Sequence, residues 1–413
     1  MMSPTPLSPA HLIATDAALA ALVAALSNEP LIAVDTESNS LYAYHERVCL
    51  VQLSSQTADY IIDPLAVKAM QPLGLLLANP NIEKVFHAAE YDLMCLRRDY
   101  GFQVVHMFDT MLAARMLGYK QIGLNHLLAQ HVGVQVDKSH QRDNWGARPL
   151  PPDSLHYAQI DTHYLPTLRG ILRQELSERG QLTEAQETFT ELCASTPAHD
   201  GRSFDPDGYW KIGKPSHLTL PQMGVLRELY VLRETLAEAQ DVPPFKIFSN
   251  QTLVALAKQM PVTANEMVGI NGMTPAQIRR HSKTISAAVA RGRAAQLPSP
   301  PQHRPPPPEI SDRYISLHSW RKDKATQRGV ESDVIVSKQT LWELAAQAPT
   351  TLTALSRIHG LGPWRLETYG LELLAVLAQY ASDAAQALVD ADAAQFTLTS
   401  DLEGNLEGTN GDE

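Results

Sequence analysis

Leu31-Ile32-Ala33-Val34-Asp35-Thr36-Glu37 is the stretch on which this 413-residue sequence turns. Its four apolar residues suit a buried strand, and the strand closes on two carboxylates. Alternation puts residues i and i+2 of a strand on one face, so Asp35 and Glu37 point together while Thr36 faces away. Two further acidic clusters follow, Phe86-His87-Ala88-Ala89-Glu90-Tyr91-Asp92 and Tyr157-Ala158-Gln159-Ile160-Asp161. In the last of these, Tyr157 and Asp161 are four residues apart and share a helical face. Acidic groups in apolar settings are costly to bury unless something positive compensates them, and no Lys or Arg lies within two positions of Asp35, Glu37, Asp92 or Asp161. Divalent metal is the natural compensation. Carboxylate oxygens suit Mg²⁺ or Mn²⁺, and four carboxylates with a phenol above them fit two such ions, which stabilise the attacking and leaving oxygens of phosphodiester hydrolysis.

Outward from this stretch, Val48–Ser54, Tyr60–Ile62 and Glu83–His87 read as further strands. Asp63-Pro64 breaks the pattern before a Leu-rich helix that ends near Asn79-Pro80. A helix is expected from about 89 to 100 and another from Asp109-Thr110 to about Leu117, with Asp109 as its N-cap rather than a metal ligand. Residues 125–178 read as mostly helical. The result is an α/β domain with helices packed on a sheet.

Past residue 215 the strand signals fade and a repeat appears. Residues 247–278 align without a gap on 335–366 at an offset of 88, pairing Ile247 with Ile335, Ser249 with Ser337, Thr252 with Thr340, Leu253 with Leu341, Leu256 with Leu344, Ala257 with Ala345, Gly272 with Gly360 and Pro275 with Pro363. Such a duplication predicts two homologous helical modules. Between them the proline run Pro305–Pro308 predicts a stiff, extended linker. The residues from about 382 on are acidic and predict a disordered tail.

The formal net charge of −11 would by itself argue against a polyanion partner, but the charge is uneven. Residues 211–295 carry 11 basic against 5 acidic residues, whereas 1–210 carry 14 against 24. A positive segment inside a negative chain is a candidate polyanion-binding surface, in which Arg279, Arg280 and Lys283 form a basic cluster. No basic residue precedes an apolar run near Met1 and the longest apolar run, Ala17–Leu26, is too short for a membrane span, so neither signal peptide nor membrane is expected. Cys49, Cys95 and Cys193 have no metal-ligand spacing, which points to a reduced, cytoplasmic setting.

The three acidic clusters, in this order, resemble the motifs of the DEDDy exonucleases of the ribonuclease D family. The likeness extends to Asp109-Thr110 and to Lys138, Gln141, Trp145, Arg148 and Pro149, and so covers about residues 10–180. The two repeats resemble HRDC domains, which are helical nucleic-acid-binding modules. The resemblance implies a ribonuclease H-like exonuclease domain over 1–185, a connector over 186–215, HRDC domains over 216–296 and 311–381, and between them a Pro-rich linker over 297–310. It implies a 3′–5′ exoribonuclease that releases nucleoside 5′-monophosphates, with Asp35, Glu37, Asp92 and Asp161 holding two Mg²⁺ or Mn²⁺ ions. Tyr157 would orient the attacking water, because a phenol with a pKa of about 10 is a poor base at neutral pH. His87, Lys138, Gln141, Trp145, Arg148, Arg279, Arg280 and Lys283 are the candidate substrate contacts, with Lys138, Gln141, Trp145 and Arg148 expected to contact the RNA backbone or stack on a base. The expected partner is RNA with a free 3′ end, tRNA precursors among them, bound by a monomer. A DNA exonuclease and a non-catalytic RNA-binding adaptor are the competing readings.

Overall fold

The computed structural model describes residues 7–196, 204–212, 217–296, 299 and 305–380. The tail from 382 and most of the linker fall outside these residues. The described residues form two compact units, those within 1–110, 123–170 and 192–304 making one and those within 111–122, 171–191 and 305–380 the other.

The first unit contains a six-stranded mixed sheet, numbered along the chain as β1 (His11–Ile13), β2 (Leu31–Ser38), β3 (Val48–Ser54), β4 (Asp59–Ile62), β5 (Glu83–Phe86) and β6 (Met107–Asp109). The strands lie in the order β1-β4-β3-β2-β5-β6, with β2, β3 and β4 antiparallel and β1, β5 and β6 parallel to their neighbours. Every residue of β3 is buried, including the polar Gln52 and Ser54, as suits a strand in the middle of the sheet. β1 and β6 are absent from the sequence reading: at three residues each, they are too short for periodicity to register. Around the sheet are α1 (Asp16–Leu26), α2 (Gln71–Leu77), α3 (Glu90–Tyr100), α5 (Leu124–His131) and α6 (Pro152–His163). The mostly helical stretch over 125–178 is broken by a loop between α5 and α6. Gly133 at φ 76° and the prolines Pro149, Pro151 and Pro152 break it, and Asp137 draws the Ser139 N–H and hydroxyl into a local turn.

The first helical module comprises α9 (Tyr209–Ile212), α10 (Leu220–Ala239), α11 (Pro244–Ile247), α12 (Asn250–Gln259) and α13 (Pro275–Ala294). Capping boxes at Thr219/Gln222 and Thr274/Gln277 start its two long helices. Tyr44, from the turn after β2, is buried in the same apolar core as Leu226, Leu253 and Ile285. Its hydroxyl donates to Glu234, and the Asp241 carboxylate accepts from the N–H groups of Tyr44 and His45.

The second unit gathers α4 (Thr110–Met116), residues 171–191 of α7 (Leu165–Glu178) and α8 (Leu182–Ser195), and the C-terminal module of α14 (Pro308–Arg328), α15 (Ser332–Ile335), α16 (Lys338–Gln347), α17 (Leu352–Leu355) and a helix over 363–380. The expected extended linker ends at Pro307, because Pro308 takes the first helical position, where its missing N–H is harmless. The C-terminal module is fastened to α8 by the buried pairs Arg328–Glu184 and Arg365–Glu187.

The duplication is structural as well as sequential. Ser249 and Ser337 cap α12 and α16 with identical backbone angles, and Arg233 and Arg321, also 88 apart, donate to the carbonyls of Phe248 and Val336. Gly272 and Gly360 sit at φ 84° and 83°, and a Cβ at either would lie 2.0 or 2.3 Å from the hydroxyl of Thr252 or Thr340. Only glycine fits there.

Candidate active site

Strand β2 delivers Asp35 and Glu37 at its carboxyl end, and the pairing with β3 becomes irregular between Glu37 and Ser38. A bulge at such a point ends the ladder and re-aims the side chains beside it. Helix α6 brings Asp161 to the same place, so that carboxylate oxygens of Asp35, Glu37 and Asp161 lie within 4.8 Å of one another. The fourth carboxylate joins differently. Asp92, on the first turn of α3 and 6% exposed, accepts through Oδ1 from both the N–H and the hydroxyl of Thr36. Thr36, which strand alternation turns away from Asp35 and Glu37, thus ties α3 to β2.

The turn that launches α3 is held just as closely. Ala88 adopts φ 63°, a conformation uncommon for a side chain with Cβ. The buried Asp109 carboxylate accepts from the N–H groups of Ala88 and Ala89, and so stabilises the entry to α3. His87, just before this turn, shares a hydrogen bond with Thr110 through Nδ1.

These residues face a cavity of about 460 Å³, within the range of small-ligand sites. Lys138 and Gln141, on the loop between α5 and α6, line it together with His87 and Leu41. Electrostatically the site is starved of cations. Burial pushes Asp35 up to about 7 and Glu37 up to about 10, and the neighbours that act on Glu37 are Asp35, Asp161, Asp92 and Asp143. Burial and the charge of Asp35 raise Asp92 and Asp161 as well. An ionised set of this kind requires positive charge, and its hard oxygens suit a divalent ion. Burial, followed by the charges of Asp161, Glu37 and Asp35, lifts the Tyr157 phenol far above its ordinary value.

Trp145 lines the cavity at 2% exposed and packs on Tyr157 with ring centroids 6.3 Å apart, so it backs the phenol. Another expected substrate contact is placed elsewhere. Arg148 is paired with Asp63 and donates to the carbonyls of Trp145, Ala147 and Cys49. Its guanidinium closes the loop instead of meeting a phosphate. Arg279, Arg280 and Lys283 are exposed on α13. Asp143, on the cavity wall, went unnoticed in the sequence, since nothing local marks an acidic residue in a loop as part of a site.

A 3′–5′ exonuclease family model matches residues 10–177, and the HRDC domain model matches 222–289 and 311–377. Ribonuclease D of Gluconacetobacter diazotrophicus is 30% identical over 88% of this chain and 92% of its own length. Exosome complex component 10 of Homo sapiens is 30% identical over 70% of this chain, but only 33% of its own length is covered. The crystal structure of Escherichia coli RNase D, described as an exoribonuclease involved in structured RNA processing, superposes with a TM-score of 0.64 at 26% identity, covering 90% of this chain and all of that one. Together with the order of its acidic residues on β2, α3 and α6, these matches show that the chain belongs to the ribonuclease D family of 3′–5′ exoribonucleases.

Proposed function

We propose that the chain trims tRNA precursors or other structured RNAs from a free 3′ end by a two-metal-ion reaction that releases nucleoside 5′-monophosphates. The observation that carries this reading is the approach of Asp35, Glu37 and Asp161 within 4.8 Å beside Tyr157, at a cavity large enough for a nucleotide. Asp35, Glu37, Asp92 and Asp161 would hold two Mg²⁺ or Mn²⁺ ions, which would supply charge stabilisation at the reacting phosphate and a water activated at neutral pH. The donor set fits, because burial holds all four carboxyls above their ordinary range, with repulsion adding to it at Glu37, Asp92 and Asp161, until positive charge arrives.

Tyr157 stays protonated at neutral pH, so it donates a hydrogen bond and orients the attacking water instead of removing its proton. Burial keeps His87 neutral, which suits a contact to a sugar or base more than to a phosphate. Lys138 and Gln141 reach the cavity from one loop and would steady the terminal nucleotide. Arg279, Arg280 and Lys283 would grip the RNA backbone away from the reacting end. The enzyme would act as a cytoplasmic monomer, with its exonuclease domain over 1–185 and its HRDC domains over 216–296 and 311–381.

Parallel digestion of a tRNA precursor with a 3′ extension and of a DNA strand of the same sequence tests the substrate. Faster release of mononucleotides from the RNA is expected, and equal or faster digestion of the DNA would refute it. Reversing Arg279, Arg280 and Lys283 to Glu should flatten the dependence of log Kd on log salt by up to about 2, at roughly 0.7 per phosphate contact on single strands. An unchanged slope would remove α13 from the interface.

A further inference from the structure

Resting on that reading of Tyr157, we propose that Asp143, with His140 and Ser154, forms a clamp that sets the position of the Tyr157 phenol, so that Asp143 is a positioning residue for the hydrolytic step. The residues come from two places in the chain. His140 and Asp143 lie on the loop between α5 and α6, whereas Ser154 is in the first turn of α6, the helix that carries Tyr157 and Asp161.

The Asp143 carboxylate joins them through one oxygen. Its Oδ2 accepts from the Ser154 hydroxyl at 2.6 Å and lies 2.8 Å from Nδ1 of His140. The main chain of Asp143 closes the same turn, its N–H donating to the His140 carbonyl and its own carbonyl accepting from the Trp145 N–H. Loop and helix are therefore joined through a single residue.

The consequence falls on Tyr157. Residues three apart on a helix share a face, so fixing Ser154 fixes the turn from which Tyr157 projects. The two rings tied to Asp143 flank the phenol, His140 with its centroid 6.4 Å from that of Tyr157 and Trp145 with its centroid 6.3 Å away. Ser154 and Trp145 are buried, which leaves the clamp little room to relax. Without the carboxylate, the His140 ring and the loop lose their common anchor and the phenol can swing. A misplacement of about 1 Å at a reacting centre can lower a rate by up to about a hundredfold.

Single-turnover hydrolysis of a tRNA precursor by the full chain in Mg²⁺ tests this, with Asp143→Ala, Ser154→Ala and the double variant measured in both the native and the Tyr157→Phe background. In the native background Asp143→Ala should lower kcat by about tenfold. Ser154→Ala should lower it in the same direction, and the double variant should be no slower than the worse single one. In the Tyr157→Phe background, where there is no hydroxyl left to position, the loss from Asp143→Ala should shrink below about twofold. Equal losses in both backgrounds, or no loss in the native one, would overturn the clamp. Asp143→Asn keeps a side-chain acceptor for Ser154 and should recover part of kcat at an unchanged melting temperature. Recovery that merely follows a restored melting temperature would assign Asp143 a structural role and overturn the proposal. An unaltered enzyme that releases no mononucleotides would overturn the functional reading itself, whereas failure of the clamp alone leaves that enzyme active.

Discussion

Replacing Asp35 by Asn should make the metal-free protein more stable while removing its activity. The carboxyl of Asp35 ordinarily titrates at 3.8 and is held up to about 7 in the fold, chiefly by burial. Between these values the native protein keeps a proton that the unfolded chain releases, so its stability falls as pH rises through the window. At 1.36 kcal/mol per pKa unit, the full span corresponds to about 4 kcal/mol, nearly all of it incurred by pH 8. An amide of the same size carries no such burden. In a chelator, urea unfolding should therefore show Asp35→Asn gaining on the wild type by up to about 4 kcal/mol at pH 8 and by only about 1 kcal/mol at pH 4.5. Glu37, Asp92 and Asp161, whose carboxyls the charge of Asp35 helps to raise, are relieved by the same substitution, so the gain keeps its sign. Saturating Mg²⁺ should narrow the difference, since a ligand at a hundred times its Kd adds about 2.7 kcal/mol to the protein that binds it. A variant no more stable than the wild type at pH 8 without metal would refute the argument that buried, cation-starved carboxylates define this site.

Other predictions follow from particular contacts. Arg148→Ala should cost about 3 kcal/mol in unfolding free energy, because it strands the Asp63 carboxylate, while leaving the salt slope of RNA binding unchanged. A shallower slope would return Arg148 to the substrate interface. Tyr44→Phe removes a buried hydrogen bond to Glu234 and should cost about 1.5–3 kcal/mol, with faster amide exchange over 39–47 as the local sign. Protection unaltered in that stretch would mean that the contact does not hold the turn. Gly272→Ala and Gly360→Ala combine a positive φ with a Cβ inside the contact distance of a threonine, and each should lower the unfolding free energy by at least about 2 kcal/mol. Melting curves matching the wild type would contradict that packing.

What the sequence made legible was the pattern set by local rules. The apolar run Leu31–Val34 had to be a buried strand, and Asp35 and Glu37 had to share a face. The offset of 88 between Gly272 and Gly360 announced two modules because the same backbone conformation demands glycine twice. The parts that stayed hidden depend on contacts between distant residues. Nothing near Thr36 says that it will grip Asp92, 56 residues on. Trp145 and Arg148 are candidate nucleic-acid contacts by residue type, and the fold sets Trp145 behind Tyr157 on the cavity wall while Arg148 closes a loop on Asp63. Asp143 and Ser154, 11 positions apart, meet only because the intervening prolines turn the chain back on itself.

The central claim is that the carboxylates of β2, α3 and α6 carry out metal-dependent removal of 3′ nucleotides from RNA. Mass analysis of the products from a tRNA precursor, with wild type and Asp35→Asn compared in Mg²⁺ and in excess chelator, tests it most directly. Nucleoside 5′-monophosphates are expected from the wild type in Mg²⁺ alone, with intact RNA that still binds the variant. Mononucleotides released by Asp35→Asn, or by the wild type in chelator, would contradict it.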